Sequence, residues 1–187
     1  VLGGAERVLG EIAATFPDAP VFSLLGSRRV ASELGIDDRF HSILPPRQRL
    51  ARSYRLLAPV LPLVVERTTL PEADVLVTSS YAFALGFSTT NRAPHVCYCH
   101  SPLRFAWTMT RDYRRHWSWG GASGLAFDIF AAAMRIADRR AARRVDHFLT
   151  QSDFIAGQIK TFYGRDAEVI GAPVDCDLFR PGTNDPE

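Results

Sequence analysis

The 187-residue sequence predicts an α/β layer domain, a parallel sheet with helices on both faces. Three observations carry that expectation. Apolar residues recur at helical and then at strand spacing, in alternation along the chain. The strand-like runs, such as Val21–Leu25 and Asp74–Ser80, are short and apolar. The composition, 47% hydrophobic with 22% charged, belongs to a folded globular chain and excludes disordered, collagen-like and low-complexity classes. No run of about 18 apolar residues occurs, so no segment reads as a spanning helix.

Taken in order, Val8, Leu9, Ile12, Ala13 and Phe16 form a one-sided helical stripe that Pro17-Asp18 ends. Val21–Leu25 reads as a buried strand closed by Gly26, and Arg39–Ile43 as a short strand closed by Pro45-Pro46. Residues 48–66 have helical character that Pro59 and Pro62 must break or kink. Asp74–Ser80 is a strand with a polar exit, and His95–His100 is another, stopped by Ser101-Pro102. The longest helix begins near Ser123. Phe127, Phe130, Met134, Ala137 and Ala141 face its core side, and Arg135, Arg139, Arg140, Arg143 and Arg144 its other faces. After the strand Phe148–Thr150, Ser152 caps a helix to about Tyr163 that Gly164 closes. Glu168–Ile170 is the last strand.

The domain is expected over residues 1–179, with an interdomain linker starting at 180–187, where Pro and Gly gather. In such folds a glycine-rich turn follows the first, central strand. Here Gly3-Gly4 opens the chain, so that strand is expected upstream, and its loss is expected to leave two open sheet edges. Val1–Glu6 has no leader pattern, and three cysteines cannot all pair; the expected compartment is reducing and cytoplasmic.

The net charge of +2 hides three unequal regions: +1 over residues 1–93, +6 over 94–145 and −5 over 146–187. The middle region reads either as a surface for an anionic ligand or membrane or as solvated helix faces. Its cluster of Arg111, Arg114, Arg115, Trp117 and Trp119 has the composition of a membrane-surface loop. No nucleic-acid-binding module matches, and no nucleic-acid partner is expected.

Gly3-Gly4 before a helix suits either a phosphate cradle or a plain turn. In a strand, His95, Cys97 and Cys99 share one face and His100 the other. No CxxC pair or second cluster accompanies them, which favours buried strand cysteines over a metal site. His100 ends its strand, where ligands gather in open α/β sheets; a satisfied structural histidine is the alternative. No Walker A, GxSxG, HExxH or paired-carboxylate motif is present, and no nucleophile stands out.

In order, Gly3-Gly4-Ala5-Glu6-Arg7-Val8-Leu9, the run from Tyr98-Cys99-His100-Ser101-Pro102 to Trp107, Arg144-Val145-Asp146, Gln151-Ser152, Phe162-Tyr163-Gly164 and Pro173-Val174-Asp175 with Phe179 resemble the N-terminal half of a family 4 glycosyltransferase of the GT-B type. The HSPLRFAW stretch resembles bacterial enzymes of surface-polysaccharide synthesis, often with mannose donors such as GDP-mannose. The resemblance implies a Rossmann-like, acceptor-side domain facing a second, donor-binding domain. It implies transfer of a hexose from a nucleotide-sugar to a glycan or lipid-linked acceptor, with retained anomeric configuration and without a metal. It implies Gly3 and Gly4 at the donor diphosphate, His100 beside the transferred sugar, and Arg104 and Trp107 at the cleft or acceptor. It implies a protein at the cytoplasmic membrane face, and no transfer by these residues without the second domain. Thr108 and Gln151 depart from the subgroup pattern, where Asp and Asn are common, and Ala172 replaces a different turn residue. A noncatalytic binding module on the same fold, or an unrelated Rossmann-like nucleotide binder, are the alternatives.

Overall fold

The computed structural model describes residues 3–44, 58–116, 123–174 and 176. The elements run α1 (Gly4–Thr15), β1 (Val21–Ser23), α2 (Arg28–Glu33), β2 (Phe40–Ser42), α3 (Leu61–Arg67), β3 (Thr69–Leu70), β4 (Leu76–Ser80), β5 (Ser88–Thr89) and β6 (His95–Cys99). They continue with α4 (Arg104–Trp107), α5 (Thr110–His116), α6 (Ser123–Ala142), β7 (His147–Thr150), α7 (Asp153–Tyr163) and β8 (Ala167–Val169).

Among the described residues every strand pairing is parallel, as the alternation of periods leads one to expect. The main sheet has the order β4-β6-β7-β8; β1-β2 and β3-β5 form separate pairs. Among the described residues no ladder joins β1-β2 to the main sheet. Apolar contact does so instead: Phe22 and Leu24 pack on the cluster of Val65, Leu70, Leu76 and Phe87. The largest core cluster lies under α6 and α7, where Cys97, Cys99 and Phe148 meet Leu85, Val145, Ile155 and Ile159. This is a Rossmann-like α/β architecture, parallel sheets flanked by helices.

The ends of α7 form as its residues dictate. The Ser152 hydroxyl accepts the Ile155 N–H at 3.4 Å, and Gly164 closes the helix at φ +70°, a left-handed conformation that costs a glycine little. Elsewhere the structure redraws the expectations. Residues 45–57 lie outside those described; α3 starts only at Leu61, with Pro62 in its first turn, where a missing N–H breaks no helical bond. Phe16 does not join the α1 stripe: the helix stops at Thr15, and the ring is 45% exposed. Two to seven residues are too few to show a period, so α2, α4, α5, β3 and β5 have no sequence signal.

On α6 the buried stripe includes an acid. Asp138 accepts hydrogen bonds from Trp107 Nε1 and Tyr163 Oη, both at 2.7 Å, and burial raises its carboxyl pKa. The opposite face of α6 leaves Leu125, Ile129 and Ile136 exposed. Among the described residues no helix is long and apolar enough to cross a membrane.

Candidate functional site

The strand ends of a parallel sheet leave a crevice where loops part, and here that crevice is a cleft of about 660 Å³ lined by both apolar and polar residues. Residues just past β4, β6 and β7 line it, together with the first turn of α1 and the start of α7. His100, Gln151 and Arg104 come from the sheet side; Gly4 and Glu6 come from α1.

Gly3 precedes α1 in extended conformation, and no side chain caps the helix. Gly4 faces the cleft, and a Cβ built there would meet nothing within 4 Å. The glycine therefore leaves open space before a helix N-terminus, where backbone N–H groups and the helix dipole favour an anion. Glu6 folds back over this terminus: a Cβ on Gly3 would lie 2.6 Å from its Oε2. A carboxylate already stands where negative charge is favoured.

His100 follows β6 directly. Its backbone N–H donates to the Ser80 carbonyl at 2.8 Å, extending the β4–β6 ladder by one residue. Its side chain is held from both flanking strands. Nε2 lies 2.8 Å from Ser79 Oγ on β4, and Nδ1 lies 3.3 Å from Gln151 Oε1, one residue past β7. Gln151 Nε2 also donates to the His100 carbonyl at 3.1 Å. The Tyr98 ring meets the imidazole edge-on at 5.2 Å, and its own hydroxyl donates to the Ile170 carbonyl. Only 9% of His100 is exposed. Burial lowers its pKa, against the opposing effects of the Gln151 hydrogen bond and the Glu6 charge.

His95, at the other end of β6, is 3% exposed, and its Nε2 lies 2.8 Å from Thr78 Oγ1. Burial pulls its pKa down to about 4. Cys97 and Cys99 between the two histidines are fully buried, and burial pushes the Cys97 thiol up to about 12 and Cys99 well above its ordinary value. The four residues of this run thus meet different neighbours. Among the described residues no three His, Cys, Asp or Glu side chains gather as a metal site.

Of the remaining predicted site residues, Arg104 opens α4 at the cleft, exposed, and pairs with no carboxylate among the described residues. Trp107, expected at the cleft, is not among its lining residues. Its ring stacks on Phe162 at 4.8 Å under the Arg139 guanidinium, tied to Asp138. The reason is its partners: Trp107 ends α4, where the buried Asp138 carboxylate on α6 and the Phe162 ring on α7 hold the indole. Arg111 and Arg115 are exposed one turn apart on α5, while Arg114 pairs with Asp128 at 3.3 Å. Trp117 and Trp119 lie outside the described residues. Reading the sequence missed Ser79, Glu6 as a cleft residue, and the grip of Gln151 on His100. Gln151 follows β7 as His100 follows β6, but the sequence does not say that these two strands are neighbours.

The family model for Glycosyltransferase Family 4 matches residues 2–178, nearly the whole chain. The chain belongs to that family. As a family 4 glycosyltransferase domain it serves glycosyl transfer, a reaction between a sugar donor and an acceptor. No curated protein and no solved structure gives a significant match.

Proposed function

We propose that this domain is the acceptor-side half of a retaining, two-domain glycosyltransferase that moves a hexose from a nucleotide-sugar to a glycan or lipid-linked acceptor. Mannose from GDP-mannose is the first donor to test. The carrying observation is that Gly4 and the His100–Arg104 segment, distant from each other in sequence, line one cleft at the strand ends. A departing nucleoside diphosphate is an anion, suited to the N-terminus of α1, which no side-chain hydrogen bond caps, and to the exposed Arg104 guanidinium. The sugar carbon it leaves develops positive charge. His100, kept neutral by burial, adds no opposing charge there and presents an oriented dipole instead. No side chain in the cleft needs to act as a covalent nucleophile in this scheme.

The test is donor hydrolysis and sugar transfer by the natural full-length protein, over a panel of nucleotide-hexoses. Transfer with retained configuration supports the reading; nucleotide-sugar binding without turnover returns the domain to a noncatalytic binding module. The exposed Arg111 and Arg115 support a further part of the proposal, contact with anionic lipid at the cytoplasmic membrane face. Each arginine at such a surface contributes about 1 kcal/mol and loses it beyond a Debye length. Binding to phosphatidylserine-containing vesicles that falls with salt and with Arg111→Ser/Arg115→Ser supports it; salt-insensitive or absent binding removes it.

A further inference from the structure

We infer that Gln151 is a positioning residue that fixes which ring nitrogen of His100 carries the proton, so that His100 acts in the cleft as a clamped, oriented group and not as a proton shuttle. The inference rests on the reading of His100 as the group beside the transferred sugar, and it specifies how that group works.

The argument is one of donors and acceptors. Gln151 touches His100 at two atoms, the backbone carbonyl at 3.1 Å and ring Nδ1 at 3.3 Å. A carbonyl oxygen only accepts, so the amide must turn its NH₂ to the His100 carbonyl and its oxygen to Nδ1. An amide oxygen only accepts in turn, so Nδ1 must carry a proton. The two-point grip removes the ambiguity that usually attends an amide orientation or a histidine tautomer. Burial holds the ring neutral, which leaves Nε2 with a lone pair. Ser79 Oγ, 2.8 Å away, therefore donates to it. Both ring nitrogens are engaged by the protein, and a proton-transfer role would first require one of these bonds to break.

The sheet makes this grip nearly rigid. Ser79 sits on β4, His100 directly follows β6, and Gln151 directly follows β7, on three adjacent parallel strands. One residue earlier, Thr150 Oγ1 donates to the Cys99 carbonyl at 2.8 Å, fixing the separation of the two strand ends.

The experiment uses natural full-length protein with ¹⁵N-labelled histidine, in which long-range ¹H–¹⁵N correlation spectra report the protonated ring nitrogen. Wild-type His100 is expected to show the Nδ1–H tautomer. Gln151→Met, which keeps the volume and loses both hydrogen bonds, is expected to move the proton to Nε2. Gln151→Glu keeps an acceptor at Nδ1 and is expected to retain it there. Ser79→Ala removes the Nε2 contact but neither Gln151 contact and is expected to leave Nδ1 protonated. An Nε2–H ring in wild type, or a tautomer that follows Ser79 instead of Gln151, overturns the inference. In transfer assays Gln151→Met should lower kcat by up to about 100-fold, through misplacement of the ring, with donor KM nearly unchanged. An unchanged kcat overturns the positioning role. A protein that transfers no sugar refutes the proposed function instead, and the spectra still decide the tautomer.

Discussion

The two ends of β6 carry the same side chain in two environments. His95 and His100 each meet a hydroxyl of the neighbouring β4, Thr78 for one and Ser79 for the other, both at 2.8 Å. The difference lies in what surrounds the rest of the ring. His95 is sealed under the sheet's N-terminal edge, its backbone N–H donating to Asp146 Oδ2, and it stays neutral down to about pH 4. His100 opens onto the cleft, is gripped at Nδ1 by Gln151, and feels the Glu6 charge. A histidine paired to a strand hydroxyl is therefore no mark of function; the end of the strand on which it stands decides whether a ligand reaches it.

The largest way to break this comparison is at the cleft. His100→Ala in the full-length enzyme should cut kcat per folded molecule by about 10²–10³, as loss of one preorganised polar group does, and should also lower the unfolding midpoint because it strands Ser79 and Gln151. Steady-state kinetics beside thermal unfolding measure both; a normal rate would make the two histidines equivalent structural groups. A substitution at the other end should affect stability alone. Thr78→Val leaves the buried His95 ring without its partner and should cost about 1–3 kcal/mol in denaturant unfolding, with kcat per folded molecule unchanged.

Acid sharpens the contrast. The folded-state pKa of His95 lies near 4, below its ordinary 6.5, so between these values the unfolded chain binds the extra proton. Stability should be full above about pH 6.5 and fall by roughly 3 kcal/mol as the pH drops toward 4. Replacing His95 by Gln should flatten that slope in unfolding midpoints taken across the range, whereas an equally steep slope would place the acid sensitivity elsewhere. The smallest effect concerns the charge that only the cleft end feels. Glu6→Gln removes a carboxylate from the α1 N-terminus and should tighten nucleoside-diphosphate binding a few-fold at low salt, about 1 kcal/mol or less. Weaker binding by calorimetry would mean that Glu6 assists the ligand instead of competing with it.

The sequence made the layers legible because the long elements repeat. The stripe of α6, the Ser152 cap and the Gly164 stop each follow from one or two residues, and the structure has them all. The cleft was legible through His100 and Gly4, whose positions at a strand end and a helix start follow from local pattern. What surrounds them was not. Ser79 and Gln151 reach His100 from strands 21 and 51 residues away in sequence, and no periodicity encodes which strands become neighbours. Trp107 shows the same limit: its partners Asp138 and Phe162 come from two other helices, and an Arg-to-Trp spacing of three says nothing of them.

The buried thiols of β6 make the central strand its own reporter. Cys97 and Cys99 have no solvent exposure and raised pKa values, so neither offers thiolate to a reagent while the sheet is closed. Cys176 is exposed, so a reagent reaches it without any opening of the sheet. Among three thiols, then, one labels without opening and two label only as fast as the strand between β4 and β7 comes away from its neighbours, which turns a simple alkylation time course into a measurement of how often this domain opens at its centre.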